Sequence, residues 1–154
     1  MPEPVDMVEL VHTLFQRRRG RACAVLTHDF SGQRGWAEKL AVQTGAECLN
    51  LLDSFSDNRG FSGDLGTFTV DRFFEFLSEK KTDGVLIVSG IEAIKATWSA
   101  QPSAMEDFAS RLETWDRSPA LLLVMQYDTQ LAARPSSRRY GHTFVIDQRE
   151  TLAL

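Results

Sequence analysis

The chain has 154 residues, 43% of them hydrophobic and 25% charged, with a net charge of −4. That is enough chain and enough apolar content for one globular domain, so residues 1–154 are read as a single unit. The acidic balance argues against a whole-surface attraction to nucleic acid or anionic membrane, and no apolar run approaches the ~18 residues of a membrane span. The first helix is too acidic and amphipathic for a signal peptide. Two cysteines, Cys23 and Cys48, show neither disulfide nor zinc spacing, and a reducing cytoplasm is the expected compartment.

Met7, Leu10, Val11, Leu14 and Phe15 recur at helical spacing, which predicts an amphipathic helix over 5–18. An apolar run at 22–26 predicts strand one. A polar stretch and a helix over 33–44 follow, the helix closed by Gly45. Strand two is expected at 47–52. Residues 53–68 are rich in Gly, Ser and Asp and read as a long loop; it carries Phe55, Phe61 and Phe68, for packing or for a partner. Val70, Phe73, Phe74 and Leu77 predict a helix over 70–80, with Phe76 off its main stripe as a possible exposed contact. The unbroken run at 84–88 predicts a strand buried on both faces.

Residues 91–99 read as either a short helix or a turn. Ser103 and Glu106 have the spacing of a capping box before a helix marked by Met105, Phe108, Ala109, Leu112 and Trp115. Strand four is expected at 120–125 and strand five at 143–146. This alternation calls for an α/β fold in three layers, with a mostly parallel five-stranded sheet between helices.

The segment between strand one and its helix has the outline of a phosphate-binding loop. Against G-x-x-x-x-G-K-[ST], residues 27–34 keep only Gly32; Thr27, Gln33 and Arg34 stand at the other defining positions. With this turn at the start of the alternation, the chain resembles the RecA/AAA+ branch of the P-loop NTPases over nearly its whole length. The resemblance implies a sheet order of 5-1-4-3-2. It also implies an acidic pair after strand three, where Ser89 and Gly90 stand, with Glu92 two residues on. A polar sensor residue is implied at the end of strand four, where Gln126 stands. Within that branch, the short length and the segments GVLIVSGIEAI and RRYGHTFVIDQ resemble the BrxF family, small P-loop proteins of BREX phage-defence systems.

The changed positions carry the chemistry of that family. Without the lysine a triphosphate loses its main counter-charge, and Asp29 adds a repelling one; Arg34 is a partial substitute at best. Ser89 does not hold magnesium as an aspartate does. Thr27, Gly32, Gln33 and Arg34 are therefore read as a vestigial loop, with no catalytic residues, cofactor or metal site expected. His28, Asp29 and Ser31 are neighbours without being a triad, and His12, His28 and His142 lack metal spacing.

The positive feature is arginine. Arg17, Arg18, Arg19 and Arg21 precede strand one, and Arg134, Arg138 and Arg139 precede strand five. If those strands are adjacent and parallel, both clusters enter the sheet at the same end. They would form a patch for a protein partner or for nucleic-acid phosphates, set against ordinary solvated charge. The function expected is a non-catalytic accessory or scaffold subunit in a multiprotein assembly, in phage defence or DNA transactions. The alternatives are an ATPase module completed by a partner in trans and a small RecA-related inhibitor.

Overall fold

The computed structural model describes residues 4–53, 69–82, 84–98, 103–132, 138–139 and 142–154. The expected loop phenylalanines and Arg134 lie outside them. Helix α1 (Met7–Gln16) starts at Asp6, whose carboxylate accepts from the N–H groups of Val8 and Glu9. Strand β1 (Ala22–Thr27) follows and is buried along its whole length. Helix α2 (Phe30–Thr44) ends at Gly45, where φ of +72° gives the left-handed closure the sequence predicts.

Strand β2 (Glu47–Asn50) passes into a helical turn at 51–53. Then come α3 (Val70–Ser78), β3 (Val85–Ser89), α4 (Glu92–Trp98), α5 (Ala104–Glu113), β4 (Ala120–Gln126) and α6 (Thr129–Ala132). The ambiguous segment after β3 is thus helical. Ser103 does stand at the N-cap of α5, but its side chain makes no capping hydrogen bond, so that half of the expected box is unmade.

A two-residue antiparallel pair, β5 (Arg138–Arg139) with β6 (His142–Thr143), precedes the last strand β7 (Val145–Asp147). The sheet order is β2-β3-β4-β1-β7 and every pairing within it is parallel. With β7 as the fifth strand of the sheet, this is the expected order 5-1-4-3-2. The small hairpin was not legible because its four paired residues carry no alternation.

Strand alternation divides the core into two layers. Cys23, Val25, Ile87, Leu122 and Val124 face α1 and α2, meeting Met7, Val11, Leu14, Ala37 and Leu40. Ala24, Leu26, Leu86, Val88, Leu121 and Leu123 face α3, α4, α5 and α6. On that second face Phe73, Phe74, Trp98, Phe108 and Trp115 form one aromatic cluster, with centroids 5.3–6.3 Å apart. Edge and tilted contacts of this kind add to simple burial. Phe76 is partly buried against the cluster, and the Lys80 ammonium lies 4.3 Å from its ring centre.

The order fixes the fate of the cysteines. β1 and β2 are separated by β4 and β3, which is ~14 Å at ~4.8 Å per spacing, against the ~7 Å a disulfide allows. Burial pushes the Cys23 thiol up to about 12 and raises Cys48 as well. Alkylation of the native protein should modify half-buried Cys48 slowly and Cys23 only after unfolding. An oxidised monomer cross-linked between them would refute the strand order.

Candidate functional site at the carboxyl end of the sheet

In open parallel sheets, ligands bind beyond the carboxyl ends of the strands, where the connections diverge. Here α1 and α2 cover one face of the sheet and the later helices the other, so that crevice lies at the ends of β1 and β4. The residues there are Thr27, His28, Gln126 and Tyr127, with Gly90 and Glu92 beyond β3 and Asp147 at the end of β7.

The connection from β1 to α2 consists only of His28 and Asp29. The sequence suggests a loop running to the helix at 33, but the helix begins three residues earlier. The reason is Asp29. Its Oδ1 accepts from the backbone N–H of Ser31 at 3.1 Å and from the Ser31 hydroxyl at 2.7 Å. These bonds hold its pKa below the usual carboxylate range. An N-cap carboxylate takes the orphan donors of the first turn and complements the helix dipole. In a phosphate-binding loop those donors face the ligand. Here the protein's own anion takes one of them, the Ser31 N–H, and Gly32 lies inside the first helical turn.

Gln33, at the lysine position, is 3% exposed. Its Nε2 donates to Thr27 Oγ1 at 3.2 Å and to Glu92 Oε1 at 3.0 Å, and its Oε1 accepts from the Gly90 N–H at 3.2 Å. Glu92 Oε1 also accepts from the Gln126 N–H. One amide therefore joins the ends of β1 and β3 to Glu92, which in turn holds the end of β4. The other carboxylate oxygen, Glu92 Oε2, is buried without a hydrogen-bond partner among the described residues.

Arg34 is turned to other work. Its guanidinium pairs with Glu38 at 3.0 Å and with Asp53 beyond β2. Ser89, fully buried, accepts from Asn50 Nδ2 at 3.0 Å. Lys95 is held by Asp128 at 2.8 Å. Arg34, Lys95 and Arg149 are all paired with carboxylates at this end, which leaves little positive charge to attract a polyphosphate.

His28 and Asp147 form a pair that adjacency in sequence does not reveal. His28 Nε2 lies 2.9 Å from Asp147 Oδ2, and the imidazole stacks on Tyr127 with ring centres 4.7 Å apart. Asp147 also caps the 3₁₀ turn at Gln148–Glu150 and receives two bonds from the Arg149 guanidinium. Partial burial pushes this carboxyl up, but bonds from Arg149 and His28 outweigh it and bring the pKa down to about 2. Ser31, engaged with Asp29, is not part of this pair.

At the opposite end, β1 and β7 are adjacent and parallel, so the chain enters both at the same side. The β5–β6 hairpin sits directly before β7. Arg17 donates to the Gly20 carbonyl at 3.2 Å; Arg21 donates to the carbonyls of Arg117 and Phe15 and to the Ser118 hydroxyl. Those two guanidiniums bind the protein's own main chain, whereas Arg18 and Arg19 are exposed. Among the described residues no cluster of His, Cys, Asp or Glu could hold a metal, and no helix is long and apolar enough to cross a membrane. No protein-family model matches the chain, and no curated protein is significantly similar to it.

Replacing Gln33 with Leu should lower stability by about 2–3 kcal/mol, since it strands the buried Gly90 N–H and removes a donor from Glu92. Urea unfolding at neutral pH measures this; an unchanged midpoint would mean the amide bridges nothing. The Asp147 pair should be visible in acid. Its carboxyl titrates at about 2 in the folded chain against an ordinary 3.8. It therefore stabilises fully above pH ~4, and that contribution is lost as pH falls from ~4 to ~2. The thermal midpoint of Asp147→Asn should depend less on pH across that window than the wild type's.

Proposed function

We propose that this chain is a non-catalytic accessory or scaffold subunit, built on a degenerate P-loop domain of the RecA/AAA+ type and working in a multiprotein assembly. The strand order and the position of the β1–α2 turn support the family reading. The observation that carries the functional reading is the occupied helix terminus. Asp29 accepts from the Ser31 N–H and hydroxyl and sets its negative charge at the start of α2, and Gln33 is committed to Thr27, Gly90 and Glu92.

Hydrolysis would need a cation on the phosphates, a magnesium ligand and a positioned water. The two residues at the acidic-pair position have structural duties instead. Ser89 bonds Asn50, and Gly90 takes φ of +77° where a Cβ would approach the backbone nitrogens of Leu51 and Leu52 at 3.2 Å. A partner completing an active site in trans would have to displace Asp29 and break the Gln33 bridge first. The segments that resemble the BrxF family suggest phage defence as the setting.

Calorimetry with MgATP should detect no binding at micromolar concentrations, and no phosphate should be released. The double substitution Gln33→Lys, Arg34→Thr should gain neither property, because the new ammonium falls beside Glu92 and Asp29 remains on the helix terminus. Tight magnesium-dependent binding by the wild type would overturn this reading.

A further inference from the structure

The connection from α1 into β1 is rich in cations. Residues 10–28 contain no Asp or Glu, and residues 16–21 read QRRRGR. Gly20 turns this stretch with φ of +62°, a conformation that favours glycine. Its carbonyl accepts from Arg17 at 3.2 Å. Arg21 reaches the carbonyls of Phe15 and Arg117 and the Ser118 hydroxyl. These bonds orient two guanidiniums without neutralising them. Elsewhere Arg34, Lys95, Arg111 and Arg149 each pair with a carboxylate. Among the described residues Arg17, Arg18 and Arg21 pair with none. The Nε atoms of Arg17 and Arg21 are buried without a partner among those residues, and burial lowers the Arg17 pKa. A cation taken partly out of water without a counter-charge is stabilised by an arriving anion.

A second pair of arginines comes to the same end. β7 runs parallel to β1, and the Ala24 N–H donates to the Phe144 carbonyl, so the β5–β6 hairpin precedes β7 on the side where β1 begins. Arg138 and Arg139 form its first strand, and residues 129–146 contain no Asp or Glu. The carboxylates of this end belong to other segments. Glu47 opens β2 and Asp83 precedes β3 in the sequence, and both strands lie beyond β4 from β1. Asp71, Glu75 and Asp116 line a depression with Arg117 beside α3 and α5, the helices of the opposite face from α1. The net charge of −4 is spread over the whole chain, whereas an exposed charge acts within a Debye length of ~8–10 Å.

We propose that the α1–β1 connection and the β5–β6 hairpin form a binding surface for the phosphate backbone of nucleic acid. Arginine suits phosphate because its planar fork gives paired, charge-assisted hydrogen bonds. Residues 16–21 carry no apolar side chain to anchor a protein, whereas sequence-independent nucleic-acid binding needs only cations along the path of the phosphates. This goes beyond the scaffold reading and does not rest on it. The surface lies at the opposite end of the strands from Asp29 and Gln33, so the two readings fail separately.

The test is fluorescence anisotropy of labelled DNA and RNA oligonucleotides, single-stranded and duplex, with the full chain. At least one should bind, with affinity falling steeply between ~50 and ~200 mM salt as counterion release requires. Arg18→Glu should weaken that binding roughly tenfold and lower the salt slope by about one or more. Arg138→Glu with Arg139→Glu should weaken the same complex. Lys39→Glu, the same charge change in the middle of α2, should alter affinity less than about twofold. Arg18 and Lys39 are exposed, and thermal melts of their variants should match the wild type. No binding, binding indifferent to salt, or binding that charge reversal in either arginine segment leaves unchanged would overturn the proposal. So would polyglutamate competing as well as unlabelled oligonucleotide, which would make an acidic protein the occupant. MgATP hydrolysis beside the expected oligonucleotide result would overturn the non-catalytic reading and leave this surface standing.

Discussion

The side-chain amide of Gln33 is the tie on which the carboxyl end of this domain depends. Parallel strands end there without a turn to join them, and each end leaves polar groups that must find partners. In this chain Gln33 reaches Thr27, Gly90 and Glu92, and Glu92 reaches the backbone of Gln126. The hydrogen bonds are internal and mutually dependent, and they leave Glu92 Oε2 as the buried oxygen of this network without a partner among the described residues. Networks of this kind cost most when partly broken.

The same logic explains residues that look like losses when read against a motif. Gly90 stands where an acidic residue would bind metal or orient water. Its positive φ strains any side chain, and a Cβ would sit 3.2 Å from the backbone nitrogens of Leu51 and Leu52, tighter than an ordinary contact. An aspartate there would bear the strain of a left-handed backbone, about 1–3 kcal/mol, before any metal arrived. Asp29 repels phosphate, but it caps a fifteen-residue helix. Gln33 cannot neutralise a polyphosphate, but it can donate and accept at once, which a lysine cannot. Each of these residues makes an internal contact, and the contacts support one another.

Much of the architecture was legible in the chain. The apolar runs at β1, β3 and β4 are long, and the alternation with amphipathic helices leaves few topologies open. The ends were less so. α2 begins earlier than its apolar pattern implies because a cap, not hydrophobic periodicity, sets its start. Ser103 offers the pattern of a capping box, yet its side chain does not complete it. The His28–Asp147 pair joins residues 119 positions apart. Only the pairing of β1 with β7 makes it possible, and only the register of Leu26 with Asp147 makes it specific. A sensitive sign was available in sequence, namely that Asp147 follows the apolar run of the last strand as His28 follows Thr27. Arg17 and Arg21 show the opposite limit. Their charge is plain in the sequence, but their use on main-chain carbonyls depends on loops that only the fold brings near.

The two ends of the sheet therefore differ in what they leave undone. At the carboxyl end the named cations are paired, the helix terminus is capped and the strand ends are tied. At the amino end an apolar helix stripe continues beyond the core, two glycines leave space beside it, and arginines follow at its edge. A catalytic domain is expected to leave polar groups unsatisfied where the substrate binds, because those groups do the chemistry. Most of the polar groups described at the carboxyl end are paired, Glu92 Oε2 excepted, while Phe15 leaves apolar surface exposed at the amino end. Unsatisfied apolar surface recognises another protein. That contrast supports the proposal that the domain is a component bound by a partner rather than one that turns over a nucleotide.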